Sequence, residues 1–395
     1  MSGPWGETES RDSVAFGGRR RAFLWLLLKG YLLMVPTLGV YRFWLTTRKR
    51  RYYWQNTTIG GDALEYTGNA RQLLLGFLFA LAFFLPVYAG FFVLSTQAGI
   101  VTLAGYGVLG ALLWFFIGYA QYRGRDFRLS RTLWRGIRFD QRGSALAYAS
   151  RRFLWSVLVL ATLGLAYPFM AASLWRYRYT HIWFGDRQVS FTGTWKTVAG
   201  PFYRAYGAIA GLAMAMVLGA AYGDASDTAI QFVPLTVLVL IGIAQPYWRS
   251  REATRMFSSI RLGEASVATR IRFRTLLGQY LSLGSLLLLA VVGIGIATVV
   301  LFGQLGETGT LPTEGLSSLA FTGPGGATII LGGYLLGFGT FSLLAETIVD
   351  FGFWKAVARG TTITNLESLA SVRATDEDPA LVGEGLADAL NVGSF

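Results

Sequence analysis

The sequence has no cysteine and one histidine, His181, among its 395 residues. The absence of cysteine excludes a disulfide framework, a thiolate metal site and a thiol nucleophile. One histidine excludes metal centres built from several histidines and leaves little for acid–base catalysis. We therefore expect no enzymatic activity, no catalytic residue, no metal site and no cofactor.

Charged residues are also scarce. They make up 14% of the chain, against about 25% in average soluble domains, whereas 53% of the residues are hydrophobic and the mean hydropathy is +0.44. The 49 glycines and the aromatic share of 15% are typical of packed membrane helices and of membrane interfaces. The composition predicts a helical membrane protein.

The charge that is present is mostly positive, with a formal net charge of +13. In a chain this apolar, basic residues are expected in cytoplasmic loops that face anionic lipid. We therefore expect membrane lipids as partners and no nucleic acid. Association of the chain with itself is left open.

Six apolar stretches are long enough to cross a bilayer, which takes about 20 residues. They are 73–94, 100–120, 206–222, 230–248, 276–302 and 328–349. Two further stretches, 23–46 and 153–174, are apolar but interrupted by proline and glycine.

The basic residues lie on one side of this pattern. Most of the arginines and lysines fall in 48–71, 123–152, 176–204 and 249–274, and the connections 95–99, 223–229 and 303–327 have none. The positive-inside rule predicts that the basic segments are cytoplasmic and that the six spans form three transmembrane hairpins. The interrupted stretches have basic residues at both ends, so each either re-enters the cytoplasmic side or crosses once; both alternatives stay open.

The chain repeats itself at a spacing of 125 residues. Thr37-Leu38-Gly39 recurs as Thr162-Leu163-Gly164, and Tyr66-Thr67-Gly68 recurs as Phe191-Thr192-Gly193. Both copies predict a short β-hairpin, over 52–67 and 177–192, because aromatic and β-branched runs flank a glycine turn. We hypothesise that several such hairpins pair into a small shared sheet on the cytoplasmic face.

The predicted fold class is therefore an all-α polytopic membrane protein with three transmembrane hairpins, two interrupted segments and short β-hairpin-like cytoplasmic loops. Its predicted parts are a cytoplasmic N-terminal segment over 1–22, a repeated transmembrane domain over 23–350 and a cytoplasmic tail over 351–395.

Several motifs together resemble the YjgN-like family of bacterial inner-membrane proteins. They are Thr37-Leu38-Gly39-Val40-Tyr41, Arg48-Lys49-Arg50-Arg51-Tyr52, Glu65-Tyr66-Thr67-Gly68, Trp134-Arg135-Gly136-Ile137-Arg138-Phe139 and the terminal Gly383-Glu384-Gly385-Leu386-Ala387-Asp388-Ala389-Leu390. The resemblance implies a multi-pass protein of the bacterial inner (cytoplasmic) membrane and supplies no known activity. It also implies a partner, a membrane-associated metallopeptidase.

Two kinds of candidate site follow from charge. Arginines of the basic segments are candidate contacts for lipid or a partner protein: Arg50, Arg51, Arg135, Arg138, Arg176 and Arg178. Glu346, at the end of the last apolar stretch, is a candidate intramembrane polar site, since ionisable groups at membrane depth are costly and tend to be functional.

The sequence favours a membrane scaffold or regulatory subunit that presents a basic, aromatic cytoplasmic face. The alternative is a transporter of a small molecule or an ion built from internal repeats. The acidic tail 376–395 is expected to dock on the basic loops or on a partner.

Overall fold

The computed structural model describes residues 11–96, 99–222, 227–307 and 324–375. Within them the helices are α1 Arg20–Met34, α2 Arg42–Gln55, α3 Ala70–Ser95, α4 Ile100–Leu129, α5 Ala145–Ala161, α6 Tyr167–Thr180, α7 Trp195–Tyr222, α8 Asp227–Phe257, α9 Phe273–Glu307, α10 Pro324–Ala345 and α11 Phe351–Arg359. A π-helical turn, Glu346–Asp350, joins α10 to α11, and a 3-10 helix spans Leu366–Ser371.

The strands are β1 Arg11–Phe16, β2 Thr57–Ile59, β3 Asp62–Tyr66, β4 Thr132–Trp134, β5 Ile137–Gln141, β6 Ile182–Phe184, β7 Arg187–Phe191, β8 Ile260–Leu262, β9 Ala265–Thr269 and β10 Thr361–Thr364. Each pairs with its chain neighbours in antiparallel register, and β1 pairs with both β2 and β10. The described strands thus form a closed ten-stranded barrel.

The barrel shows that the predicted all-α class was wrong. The hairpins are not isolated loops, because each hairpin pairs with the next one along the chain and none of the described strands is left with an unpaired edge. The predicted first strands were also too long. Residues 52–55 and 177–180 are still helical, and their large aromatic side chains are buried by packing, for example Tyr53 and Tyr177.

Tight turns between the strands explain the glycines of the repeated motif. The two-residue connections begin at Gly60, Arg135, Gly185 and Gly263, each with φ between 52° and 59°. At the first two, the following glycine also has positive φ, as a type I′ hairpin turn requires. Such turns match the right-handed twist of the strands, so the connections favour hairpin closure.

Five matching hydrogen bonds lie where helices meet strands. In each, the backbone N–H after the second strand of one pair donates to the carbonyl just before the first strand of the next. The pairs are Gly17 and Asn56, Thr67 and Arg131, Arg142 and His181, Thr192 and Ser259, and Arg270 and Gly360, with N···O distances of 2.8–3.0 Å. The barrel wall is therefore built from five equivalent junctions.

Alternate strand residues fill the barrel. Ile59, Leu64, Trp134, Ile137, Phe139, Phe184, Leu262, Ala265 and Ile363 form one apolar cluster. Three residues from the segment after β10, Leu366, Leu369 and Val372, pack into the same cluster. We call this segment, residues 365–373, the plug, because it closes the barrel at the end that carries the hairpin turns.

The helices stand on the opposite end of the barrel in a ring. Each helix contacts its chain neighbours, and α10 and the π-helical turn contact α1, which closes the ring. All six predicted spans lie within these helices, the last one running through α10 into the π-helical turn. The helices are longer than predicted because they continue beyond their apolar stretches until the next strand begins.

Each interrupted stretch folds into two antiparallel helices, α1 with α2 and α5 with α6. At the first turn, Leu38 and Gly39 have φ of 47° and 85°, and at the second Leu163 and Gly164 have φ of 51° and 97°. The threonine before each pair donates from Oγ1 to a carbonyl four residues earlier, at 2.7 Å from Thr37 and 2.8 Å from Thr162. Both stretches therefore return to the barrel end.

Five helical segments are long and apolar enough to cross a membrane, judged by length and composition. They are Ala70–Ser95, Thr102–Leu129, Trp195–Gly219, Phe273–Gly293 and Gly332–Arg359. Large apolar side chains are exposed along them, as at Leu75, Phe79 and Phe92 on α3. Parts of the charge-free connections, 97–98, 223–226 and 308–323, and the acidic tail 376–395 lie outside the described residues.

Candidate functional site

Arginines and aromatic rings face each other where the helices meet the barrel. Guanidinium carbons lie 4.0–5.7 Å from ring centroids in cation–π geometry. The pairs include Arg131 with Phe127, Arg142 with Trp183, Arg151 with Tyr177, Arg178 with Trp175, Arg249 with Phe353 and Arg50 with Tyr66. We call this zone the arginine–aromatic layer.

Arg51 and Arg176 occupy equivalent places in this layer. Arg51 Nη2 donates to the carbonyl of Gly68 at 3.1 Å, and Arg176 Nη2 donates to the carbonyl of Gly193 at 3.1 Å. Both arginines are exposed, so each retains a water-facing cationic surface. The two glycines are needed because a Cβ at either would collide with the aromatic ring two residues earlier, Tyr66 or Phe191.

Arg50 and Arg178 are more enclosed. Arg50 Nη1 donates to Tyr66 Oη at 3.0 Å. Arg178 Nε donates to the Leu174 carbonyl at 3.3 Å and lies near Glu252, whose carboxylate accepts from the Trp175 indole at 2.9 Å. Burial raises the pKa of Glu252, while the indole N–H and Arg178 act in the opposite direction.

Arg135 and Arg138 lie apart from the other four arginines, on the β4–β5 hairpin. Arg135 occupies the turn and forms an ion pair with Asp62 of the neighbouring hairpin, Nε to Oδ2 2.5 Å. Arg138 is half-buried on β5. Its neighbours Ile137 and Phe139 point into the barrel. Because side chains alternate along a strand, Arg138 faces outward. The six predicted arginines therefore form no single site.

Glu346 begins the π-helical turn. Lys49 Nζ of α2 lies 3.0 Å from both of its carboxylate oxygens, and Tyr31 Oη of α1 donates to Oε1 at 3.3 Å. The side chains of the ion pair are each 23% exposed. A π-helical turn inserts an extra residue into a helix and often marks a functional position. Here it brings Glu346 to the contact that closes the helix ring.

Sequence reasoning missed a cavity of about 460 Å³ between α2 and the start of α3. Arg51 is one of its lining residues, and Arg48 and Arg71 are two others. The only sequence signal was the density of basic residues in 48–71, which does not distinguish a pocket from an exposed surface. In the described part of the chain no group of three or more His, Asp or Glu residues could hold a metal ion.

The fold defines a class: a closed antiparallel barrel that carries a ring of helices, several of them of membrane-spanning length. The chain belongs to the family described as "Bacterial protein of unknown function (DUF898)", whose model matches residues 11–389. This is the YjgN-like family, so the resemblance drawn from the sequence motifs is confirmed. No curated protein and no solved structure matches the chain.

Proposed function

We propose that this chain is a multi-pass protein of the bacterial inner membrane that acts as a scaffold or regulatory subunit. In this proposal the helix ring lies in the bilayer, and the barrel and the arginine–aromatic layer lie on the cytoplasmic side. The short hairpins α1–α2 and α5–α6 enter the membrane from that side and return to it.

One observation carries the proposal: the surface changes from apolar to arginine-rich at the level where helices meet the barrel. Above that level, exposed leucine and phenylalanine cover helices such as α3. In water such a surface would drive aggregation, whereas lipid tails solvate it. Below it, arginines stacked on aromatic rings suit the headgroup region on the cytoplasmic side.

A scaffold role is favoured by how the barrel is filled. Its apolar side chains and those of the plug pack into one cluster inside the barrel. The ring of short hairpin turns, with the plug between them, presents a rigid surface to the cytoplasm. The membrane-associated metallopeptidase implied by the family is the first partner to test on this surface.

We infer further that the helix–strand–strand–helix units are copies of one ancestral unit. The five equivalent junction bonds and the identical turns after α1 and α5 support this inference. Four of the strand pairs are hairpins that are continuous in the chain. The fifth pair consists of β10 and β1, which come from opposite ends of the chain and close the ring.

The alternative, a transporter, is favoured by one observation, the ion pair between Lys49 of the short helix α2 and Glu346 in the segment Gly332–Arg359, which is long and apolar enough to cross a membrane. Charged pairs at such positions occur in proton and ion pathways. Loss of solute uptake in a Lys49→Met variant that is inserted and stable would favour transport.

The scaffold proposal is tested by fractionation and co-purification. We expect the full chain to stay in the membrane after carbonate washing and to co-purify with a defined membrane partner. A variant with Arg187, Glu264 and Ser371 at the plug end replaced by alanine should lose the partner and stay in the membrane. Release of the wild-type chain by carbonate, or partner recovery unchanged by the triple variant, would contradict the proposal.

A further inference from the structure

The pocket between α2 and α3 is strongly cationic. Its lining residues are Trp44, Thr47, Arg48 and Arg51 from α2, and Asn69, Ala70, Arg71 and Gln72 from the start of α3. Three carry a guanidinium group, and none of these described lining residues carries a carboxylate. With a volume of about 460 Å³, the pocket can admit a group far larger than water.

The backbone adds to this positive potential. The first amide groups of a helix have no intrahelical acceptor, and the helix dipole places partial positive charge there. Asn69 precedes α3, and its side chain does not cap the helix; its Oδ1 instead accepts from Arg51 at 3.2 Å. The start of a 26-residue helix therefore faces a pocket that already holds three arginines.

The depth of the pocket limits what can occupy it. The membrane-length segment of α3 begins at Ala70, which is itself a lining residue. Trp44 contributes an indole ring, the side chain most typical of the membrane–water interface. In the proposed membrane location the pocket therefore lies at the level of lipid headgroups, beside an exposed apolar helix.

The equivalent place, 125 residues later, carries a large side chain. Ala70 corresponds to Trp195, whose ring stacks on Phe169 with centroids 4.6 Å apart. Phe169 in turn corresponds to Trp44, and Arg71 corresponds to Lys196. The first copy thus has the small side chain of Ala70 at the pocket, where the second copy has a tryptophan ring.

We propose that this pocket binds the phosphate of an anionic phospholipid headgroup, with Arg48, Arg51 and Arg71 as ligands and the start of α3 as the fourth contact. The inference rests on the proposed membrane location. It goes beyond a general attraction to lipid, because it specifies one headgroup at one place on the ring.

The experiment uses the full chain in nanodiscs made of phosphatidylcholine with increasing phosphatidylglycerol, and in detergent with inorganic phosphate as the probe for a soluble anion. Retained lipid is counted by native mass spectrometry. The test variant is Arg48→Gln with Arg71→Gln, two exposed positions whose replacement preserves polarity. The matched control is Lys196→Gln, at the position equivalent to Arg71.

We expect wild type and the control to retain one phosphatidylglycerol in preference to phosphatidylcholine, and the double variant to lose affinity by about thirtyfold, as expected for two interfacial cations. Millimolar inorganic phosphate should not displace the lipid. An unchanged affinity in the double variant, an equal loss in the control, or tighter binding of inorganic phosphate than of lipid would overturn the proposal. Carbonate extraction of the same variants tests membrane residence separately, so the pocket can fail while the proposed function stands.

Discussion

The two segments that repeat at 125 residues share a scaffold and differ in what the scaffold holds. In both, a tyrosine hydroxyl donates at 2.9 Å to the carbonyl before the first helix, Tyr52 to Arg19 and Tyr177 to Ser144. The arginine preceding each tyrosine then binds a glycine carbonyl at 3.1 Å, Gly68 in one copy and Gly193 in the other. Contacts that recur in both copies maintain the fold.

Two differences between the copies concern the site. Ala70 lines a basic pocket, whereas the ring of its counterpart Trp195 stacks on Phe169. Lys49 pairs with Glu346 at the closure of the ring, whereas its counterpart Leu174 is part of an apolar core. Because the hydrogen bonds shared by both copies maintain the fold, we look for functional residues at the positions where the two copies differ.

The largest expected effect comes from the hairpin glycines Gly60 and Gly185. Both have positive φ, but a Cβ at Gly185 would meet the backbone carbonyl of Arg373 in the plug, whereas at Gly60 it would meet the flexible tip of Leu366. We expect Gly185→Ala to lower the free energy of unfolding by about 2–4 kcal/mol and Gly60→Ala by about 1–2 kcal/mol.

Chemical denaturation in detergent, followed by tryptophan fluorescence, measures both variants. Gly136→Ala is the control, because φ there is +74° and no atom lies within 4 Å of the added Cβ. If Gly185→Ala were no more destabilising than this control, the plug would not be seated on the β6–β7 turn.

The next effect concerns Lys49. Lys49→Met leaves the Glu346 carboxylate without its cation, and we expect a loss of about 2 kcal/mol in the free energy of unfolding. The double variant Lys49→Leu with Glu346→Leu should lose less than the single one, because Leu174 shows that leucine is accommodated at the equivalent helix position. The double-mutant cycle also uses the single variants Lys49→Leu and Glu346→Leu, and additive losses in it would mean that the two side chains do not interact.

A smaller difference separates the two tyrosines. Tyr52 Oη donates to the Arg19 carbonyl and also accepts from the Arg19 N–H at 2.8 Å, whereas Tyr177 Oη donates to the Ser144 carbonyl. We expect Tyr177→Phe to cost about 1 kcal/mol and Tyr52→Phe somewhat more. Equal melting temperatures for wild type and both variants would show that these bonds do not hold the helical hairpins.

The smallest effect is a pH dependence at Glu252. Because burial raises its pKa in the folded state, folding takes up a proton, and stability should fall as pH rises from the unfolded value near 4.5 through the raised pKa. Glu252→Gln keeps an acceptor for the Trp175 indole and has no group that ionises. We therefore expect this variant to lose no stability as the pH rises through the range of the Glu252 titration and to be at least as stable as wild type at pH 7. Melting temperatures from pH 4 to 8 measure the effect, with the exposed Glu264→Gln as control; a wild-type curve that rises with pH would contradict it.

Sequence periodicity located the helices well, because long apolar runs between basic segments leave few alternatives. It also found the hairpin turns through Gly60 and Gly185, since only a few residues tolerate positive φ. It missed the closed barrel because strands of three residues, such as β2 and β4, are too short to show alternation. Closure also depends on β1 and β10, whose pairing joins opposite ends of the chain.

The site was predicted less well than the fold. Arginine density indicated a basic region, and Glu346 stands out in the sequence as a charged residue at the end of an apolar stretch, whereas its partner Lys49 lies in a basic run and does not stand out. Ala70 is one of the lining residues of the pocket, and a small side chain has no signature in a sequence this rich in alanine and glycine.

Cysteine labelling tests most directly whether the barrel end is cytoplasmic. Because the chain has no native cysteine, Glu264→Cys at the hairpin end and Ile100→Cys at the opposite end of the helices each give one reactive thiol. With an impermeant maleimide, we expect Ile100→Cys to react in intact cells and Glu264→Cys to react only after the inner membrane is permeabilised. The reverse pattern, or equal labelling of both before permeabilisation, would contradict the account.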